Sequence, residues 1–248
     1  MHEVFDWPGF LPSFSLEAEA RGFTTSELAT TSAGPLMAWE RPAQNGPVVY
    51  LSAGIHGDEP SGPLALLELM RADFFSENIH WLICPALNPE GLAASTRENT
   101  ARQDLNREYW NLAAPETAAH VDWLKQKPTP RLFVSLHEDW ETSGFYFYEI
   151  NLLPDDPERS LAILESVAPW FPPEPNAIID GHDIRGPGWI YHAAEPDLPE
   201  GWPEAIYLAK NGCPLSYTFE TPSQAPLARR VAAQMAAVKA ACKNSLIF

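Results

Sequence analysis

Basic residues are scarce in this chain. It has 16 Lys and Arg against 33 Asp and Glu, a formal net charge of -17. A surface of that sign repels phosphate backbones and anionic lipid, which argues against nucleic-acid or membrane-surface binding. It does not constrain a small pocket, where a metal or two arginines can reverse the local field. Cysteine is scarce too. Cys84, Cys213 and Cys242 are scattered and odd in number, which argues against a disulfide framework and for buried free thiols in a reducing compartment. No apolar run approaches a membrane span. The opening "MHEVFDWPGFLPSF" lacks the basic start and apolar run of a secretory leader, so a cytoplasmic location is expected. Internal repeats and low-complexity tracts are missing as well, which leaves no linker.

What is present fits one large globular unit. The 248 residues are 45% hydrophobic and 20% charged, enough to bury a substantial core in a single domain spanning 1–248. Twenty-five prolines and nine tryptophans suggest loops of fixed shape over a well-packed body. "GFTTSELAT", "GPLMAWER" and "GPVVYLSAG" are short, β-leaning and punctuated by glycine and proline, so they read as successive strands. "PLALLELMRADFF" has helical spacing, and "IHWLICPAL" reads as a buried strand running into the loop "NPEGLAASTRENTARQDLNREYW". A helix at "PETAAHVDWLKQ", strands at "RLFVSLHED" and "GFYFYEI", and a helix near "DPERSLAILESVAPWF" follow. Next come a Pro/Gly-rich segment from Phe171 to Pro203, the strand "LSYTFET" and a helix at "APLARRVAAQMAAVKAAC". After an initial meander, strands alternate with helices. The expected fold class is α/β, a mixed, mostly parallel twisted sheet with helices on both faces.

In such sheets chemistry sits where strands run out into loops, and the chemically able residues cluster there. His56 and Glu59 follow "VVYLSAG", where Gly54 and Gly57 permit a tight curl around an ion. The pair is a weak signal alone, because "HAAE" at His192 to Glu195 repeats the spacing with no such loop. On spacing alone, a turn whose acids are merely solvated is the commoner explanation of such a pair. His137 ends an apolar strand and offers a third nitrogen or oxygen donor, the number a catalytic zinc needs while leaving one position open; it is otherwise an ordinary core or surface histidine. Glu220, at the end of "LSYTF", is placed to serve as a general base or stands as an exposed acid before a proline turn. Arg97, Asn106 and Arg107 sit in one loop of an acidic chain. Arginine makes two-pronged hydrogen bonds to carboxylates, so the loop points to an anionic substrate or a developing oxyanion, or to ion pairs with Glu98, Asp104 and Glu108.

Taken in order, "GIHGDE", "NPEG", "TRENTARQDLNR", "SLH" and "YTFET" resemble the carboxypeptidase A-like zinc carboxypeptidases, from about Val48 to Thr221. No single motif is specific; the ordered set is. The resemblance implies one zinc ion held by His56, Glu59 and His137. It further implies Arg97 as stabiliser of the oxyanion, Asn106 and Arg107 as the grip on a terminal carboxylate, and Glu220 as the base that activates water and protonates the leaving amine. Tyr191, in "IYHAA", stands for the family's mobile tyrosine, although its interval to Glu220 is stretched. Two departures stand out. Glu138 and Asp139 follow the third ligand where a small residue is usual, either orienting His137 from outside or recruiting a second cation. Gln103 replaces a common glycine. The resemblance leads to a zinc hydrolase that cleaves an amide bond next to a free carboxylate, a carboxypeptidase on short, murein-derived or similar peptides. The lack of a pro-segment fits a small-substrate enzyme. An alternative is the nearby succinylglutamate desuccinylase/aspartoacylase group, which removes an acyl group from an amino acid. Another is a metal-bound protein that only binds peptide termini, although that reading usually goes with loss of the general base.

Overall fold

The computed structural model describes residues 5–245; the first four residues of the opening stretch read for a leader lie outside them. An eight-stranded mixed sheet forms the centre, built from β1 (Thr24–Thr31), β2 (Gly34–Arg41), β3 (Val48–Ala53), β4 (His80–Cys84), β5 (Leu132–Asp139), β6 (Tyr146–Asn151), β9 (Trp189–Tyr191) and β10 (Leu215–Pro222). Its order is β1-β2-β4-β3-β5-β10-β6-β9. The pairs β4/β3, β3/β5, β5/β10 and β6/β9 are parallel, whereas β1/β2, β2/β4 and β10/β6 are antiparallel. The expected mixed sheet is therefore present. A separate two-stranded ribbon, β7 (Ile178–Ile179) with β8 (His182–Asp183), lies inside the Pro/Gly-rich segment.

Strand alternation divides the sheet into two faces. Leu51, Val134, Leu136, Phe147, Tyr217 and Phe219 point to one face, covered by α1 (Trp7–Ala20), α2 (Ser61–Arg71), α5 (Pro157–Val167) and α7 (Leu227–Ser245). Tyr50, Leu82, Cys84 and Phe133 point to the other, covered by α4 (Pro115–Leu124) and α6 (Glu204–Lys210). All three cysteines are free and buried, as expected. Among the described residues no helix is long and apolar enough to cross a membrane.

Three helices were not legible from pattern alone, among them the short α3 (Pro89–Ala94), which was expected as loop. In α1, Pro8 lies in the first turn, where its missing N–H costs little, but Pro12 lies inside the helix. Burial of Trp7, Phe10, Phe14 and Ala18 on one stripe outweighs that proline. The short helix α6 follows Pro203 at the end of the Pro/Gly-rich segment. Conversely, the helix read to Phe75 stops at Arg71, and Asp73 takes a left-handed φ of 53°.

Candidate metal centre and substrate cleft

The cleft opens where the parallel strands β3, β5 and β10 end, on the face that α4 and α6 only partly cover. In the β5/β10 register Glu220 stands opposite His137, and Thr218 opposite Ser135. These four side chains therefore share one face and line one cavity of about 260 Å³. His56, Glu59, Arg97, Asn106 and Arg107 line the same cavity.

The loop after β3 brings His56 and Glu59 to the mouth of β5. Gly54 takes φ +65°, the left-handed bend that ends the strand. Gly57 serves differently from the curl expected of it: a Cβ there would come within 1.8 Å of the Gly91 carbonyl carbon. It permits close packing against α3 (Pro89–Ala94), not an unusual φ. Asn88 explains the "NPEG" motif. Its Oδ1 caps α3 by accepting from the Gly91 N–H at 2.8 Å, and its Nδ2 donates to the Ile55 and Arg97 carbonyls, each at 3.2 Å. One side chain thus ties the His56 loop to the Arg97 loop.

Three ligand atoms converge. One donor atom each from His56, Glu59 and His137 lies within 4.8 Å of the others, and all three residues are buried. His56 Nδ1 is 2.7 Å from Glu59 Oε1, and His137 Nδ1 is 3.0 Å from Glu59 Oε2. The donor set fits a divalent cation on two grounds. It is the two-nitrogen, one-carboxylate combination suited to zinc, and Glu59 Oε2 is buried with no partner of hydrogen-bond geometry. Both ring nitrogens of His56 face carboxylates. Burial disfavours its proton, but Glu59 and Asp104 outweigh that and lift His56 to about 9. The inner proton thus stands where a cation would. Burial also pushes Glu59 up, but the two imidazoles hold it below the usual carboxylate range.

Asp104, the acid of "DLNR", was read only as a possible ion-pair partner, yet it organises the site. Its Oδ1 accepts from His56 Nε2 at 3.2 Å and from the Asn106 N–H at 3.0 Å, while Oδ2 accepts from Arg97 Nε and Nη2 at 3.1 and 3.0 Å. Such an outer carboxylate fixes the ring so that Nδ1 faces inward. Arg97 Nη1 remains 3.8 Å from Glu59 Oε1, at the edge of the cation position. Glu220 faces this cluster. Burial first, then the Glu59, Asp139 and Asp180 carboxylates, raise its carboxyl well above the usual range. Asn106 uses its Oδ1 to accept from the Glu204 N–H at 3.0 Å, which caps α6, and Arg107 Nη1 donates to the Asn106 carbonyl at 2.9 Å.

Two sequence expectations are corrected. Tyr191 does not reach the cavity: its hydroxyl donates to the Asn151 carbonyl at 3.3 Å, and its ring lies 4.8 Å from the Arg185 guanidinium. The tyrosines lining the cleft are Tyr146 and Tyr148. Glu138 neither orients His137 nor offers a second cation site beside it, because alternation turns it to the opposite face. There it accepts from the Ser61 N–H at 2.6 Å, at the start of α2, and pairs with Arg230. Asp139 does face the cleft, and there it accepts from the Tyr146 hydroxyl at 3.0 Å.

Glu204, at the buried end of the cleft, was not anticipated. Tyr50 and Ser52 hydroxyls each donate to its carboxylate at 2.7 Å. His120 Nε2 lies 2.8 Å from the Tyr50 oxygen, and its Nδ1 lies 2.9 Å from the Tyr109 hydroxyl. Burial lifts Glu204 to about 7 from 4.5, against the pull of Ser52 and Tyr50. The folded state therefore holds this proton more tightly than the unfolded chain, so stability falls as pH rises from about 4.5 to about 7. Glu204→Gln is expected to remove that slope, worth about 3 kcal/mol. Urea unfolding at both pH values tests this; an unchanged slope would place the ionisation elsewhere.

The fold is carboxypeptidase-like, and the clustered donors could hold a metal ion. Residues 45–167 match the succinylglutamate desuccinylase/aspartoacylase catalytic domain family. Carboxypeptidase SOL1 of Arabidopsis thaliana is 34% identical over 100 residues, covering 32% of this chain and 20% of that protein. Carboxypeptidase 2 of Trichophyton rubrum is 26% identical over 140 residues, covering 53% of this chain and 25% of that protein. The matches thus span a fifth to a quarter of these curated relatives. A protein from Shewanella amazonensis described as a metallopeptidase superposes with a TM-score of 0.85 at 22% identity, over 97% of this chain and 93% of its own. Carboxypeptidase A from Helicoverpa armigera superposes at 0.64 with 14% identity, over 94% of this chain and 71% of its own. The chain is thus similar in fold to carboxypeptidase A and in its 45–167 segment to the succinylglutamate desuccinylase/aspartoacylase catalytic domain.

Proposed function

We propose that this chain is a cytoplasmic zinc carboxypeptidase that removes the terminal residue from short peptides with a free carboxylate. The observation that carries this reading is the convergence of His56, Glu59 and His137 with Glu220 and Arg97 on one cavity. His56, Glu59 and His137 would hold the zinc ion, which when bound would supply Lewis acidity to water and to the scissile carbonyl. Glu220 takes a proton from the attacking water and passes it to the departing amine. Arg97, oriented by Asp104, offers a guanidinium edge to the oxygen that becomes negative. Arg107 and the Asn106 amide bind the terminal carboxylate, and together they set where the peptide ends. The Glu204 carboxylate at the inner end suits a terminal residue whose side chain carries an amine, as in peptides derived from murein.

The alternative, an N-acyl amino acid deacylase, is favoured by the family match over 45–167 and uses the same residues. A panel of dipeptides, murein peptides and N-acyl amino acids separates the two. The expected result is release of free amino acids from the peptides, lost on chelation and restored by zinc. Turnover of N-acyl amino acids alone would replace this reading with the deacylase. Binding without turnover by zinc-loaded protein would leave only a receptor for peptide termini.

A further inference from the structure

The Pro/Gly-rich segment carries a second cluster of donors. His182 on β8, His192 just after β9 and Asp197 in the loop toward α6 each offer one ligand atom within 4.8 Å of the others. All three line the cleft, at its rim. We propose that they form a second divalent-cation site, suited to zinc or another first-row ion that accepts imidazole, separate from the His56 centre.

Three observations support this. First, Asp197 spans both rings with separate oxygens: Oδ1 is 3.4 Å from His192 Nε2 and Oδ2 is 3.5 Å from His182 Nε2. These contacts are long for hydrogen bonds. They match the spacing of about 3.3 Å between two ligands of a tetrahedral ion with bonds near 2.0–2.1 Å. Second, His192 Nδ1 lies 2.6 Å from the Ala193 carbonyl. A carbonyl can only accept, so Nδ1 carries a proton and Nε2 is the nitrogen turned toward Asp197. A ligating histidine has its outer N–H anchored in the same way. Third, the ring of Tyr148 packs edge-on against both imidazoles, 5.5 Å from His182 and 6.0 Å from His192, while its hydroxyl donates to Asp180 at 2.6 Å. The two rings are thus oriented before any ion arrives. The acid of "HAAE", Glu195, is not part of the site; it pairs with Lys210.

An ion here would join β8, the end of β9 and the loop that leads to α6. That loop lies over the carboxylate grip: the Tyr109 N–H donates to the Trp202 carbonyl at 3.3 Å, and Arg107, Asp197 and Gly201 line one shared hollow. The cation would therefore fix the rim beside Arg107.

Zinc titration of the apo-protein with a competing chromophoric chelator, backed by elemental analysis after dialysis, tests the proposal. Wild type is expected to take two equivalents, and the His182→Ala/His192→Ala double variant one. Asp197→Asn changes an exposed side chain and leaves the core alone. It should weaken one equivalent at least tenfold, which keeps the test decisive if the double variant fails to fold. The His56→Ala/His137→Ala variant should keep the rim equivalent, so failure of the catalytic centre and failure of the rim site are read separately. Cobalt substitution in that variant should give visible d–d bands, lost when His192 is also replaced. Saturation of wild type at one equivalent, or a second equivalent that survives in both rim variants, would overturn the proposal and leave Asp197 neutralising two imidazolium rings.

Discussion

Replacing Glu220 with Gln is expected to lower turnover by about 10²–10⁴-fold and leave the metal content of the protein unchanged. The side chain lies opposite His137 in the β5/β10 register and outside the group of three donors, so its loss removes a proton acceptor and not a ligand. An acceptor is most useful when its pKa approaches the working pH, and burial with three neighbouring carboxylates moves Glu220 in that direction. Glutamine keeps the shape and cannot accept the proton. Stability should move the other way. The folded state binds this proton more tightly than the unfolded chain, so an ionised Glu220 lowers stability once pH passes the unfolded value. At neutral pH the variant should melt at the same temperature as wild type or higher, the trade often seen when an active-site charge is removed. Thermal melts and metal analysis beside the peptide assay separate the outcomes. Full turnover in the variant would move the base elsewhere, and lost metal would make Glu220 a ligand.

Much of this site was legible in the sequence because strand ends punctuate it. His56, His137 and Glu220 each stand directly after an apolar run, and parallel pairing brings such ends to one edge of the sheet. The register that sets Glu220 against His137 is not written in either strand. It follows from the crossovers, which no local pattern records. Glu138 shows how one missing register becomes a wrong expectation: beside a ligand in sequence, it belongs to the opposite face and to α7 through Arg230. Asp104 was within reach. An acid two positions before Asn106 in the same motif is the natural partner for an imidazole and an arginine that must be held still. Glu204, His182 and His192 were not within reach. They lie in or just past a stretch where prolines and glycines erase periodicity, and their neighbours Tyr50 and Tyr148 come from distant strands. Tyr191 was placed by likeness of a short segment; its hydrogen bond to Asn151 depends on the pairing of β9 with β6, which that segment does not encode.

Arg107→Ala should weaken binding of substrates with a free terminal carboxylate by about 2–5 kcal/mol, or roughly 30- to several-thousand-fold in kcat/KM. Amidated substrates should change far less. The guanidinium lines the cleft and the hollow under Asp197. Among the described residues its side chain donates only from Nη1, to the Asn106 carbonyl, so much of its fork remains available to a ligand. A carboxylate meeting that fork and the Asn106 amide gains paired, charge-assisted hydrogen bonds inside a strongly acidic protein that otherwise repels anions. The long-range field opposes the substrate, while the short-range fork attracts it. Added salt should therefore screen the repulsion more than the buried pair, and carboxylate binding by wild type should weaken little or even tighten as ionic strength rises. In the alanine variant the repulsion remains without the fork, so salt should improve its KM more than that of wild type. Equal losses for carboxylate and amide substrates would assign Arg107 to holding its loop. A salt response identical in the two proteins would remove it from the binding of charge.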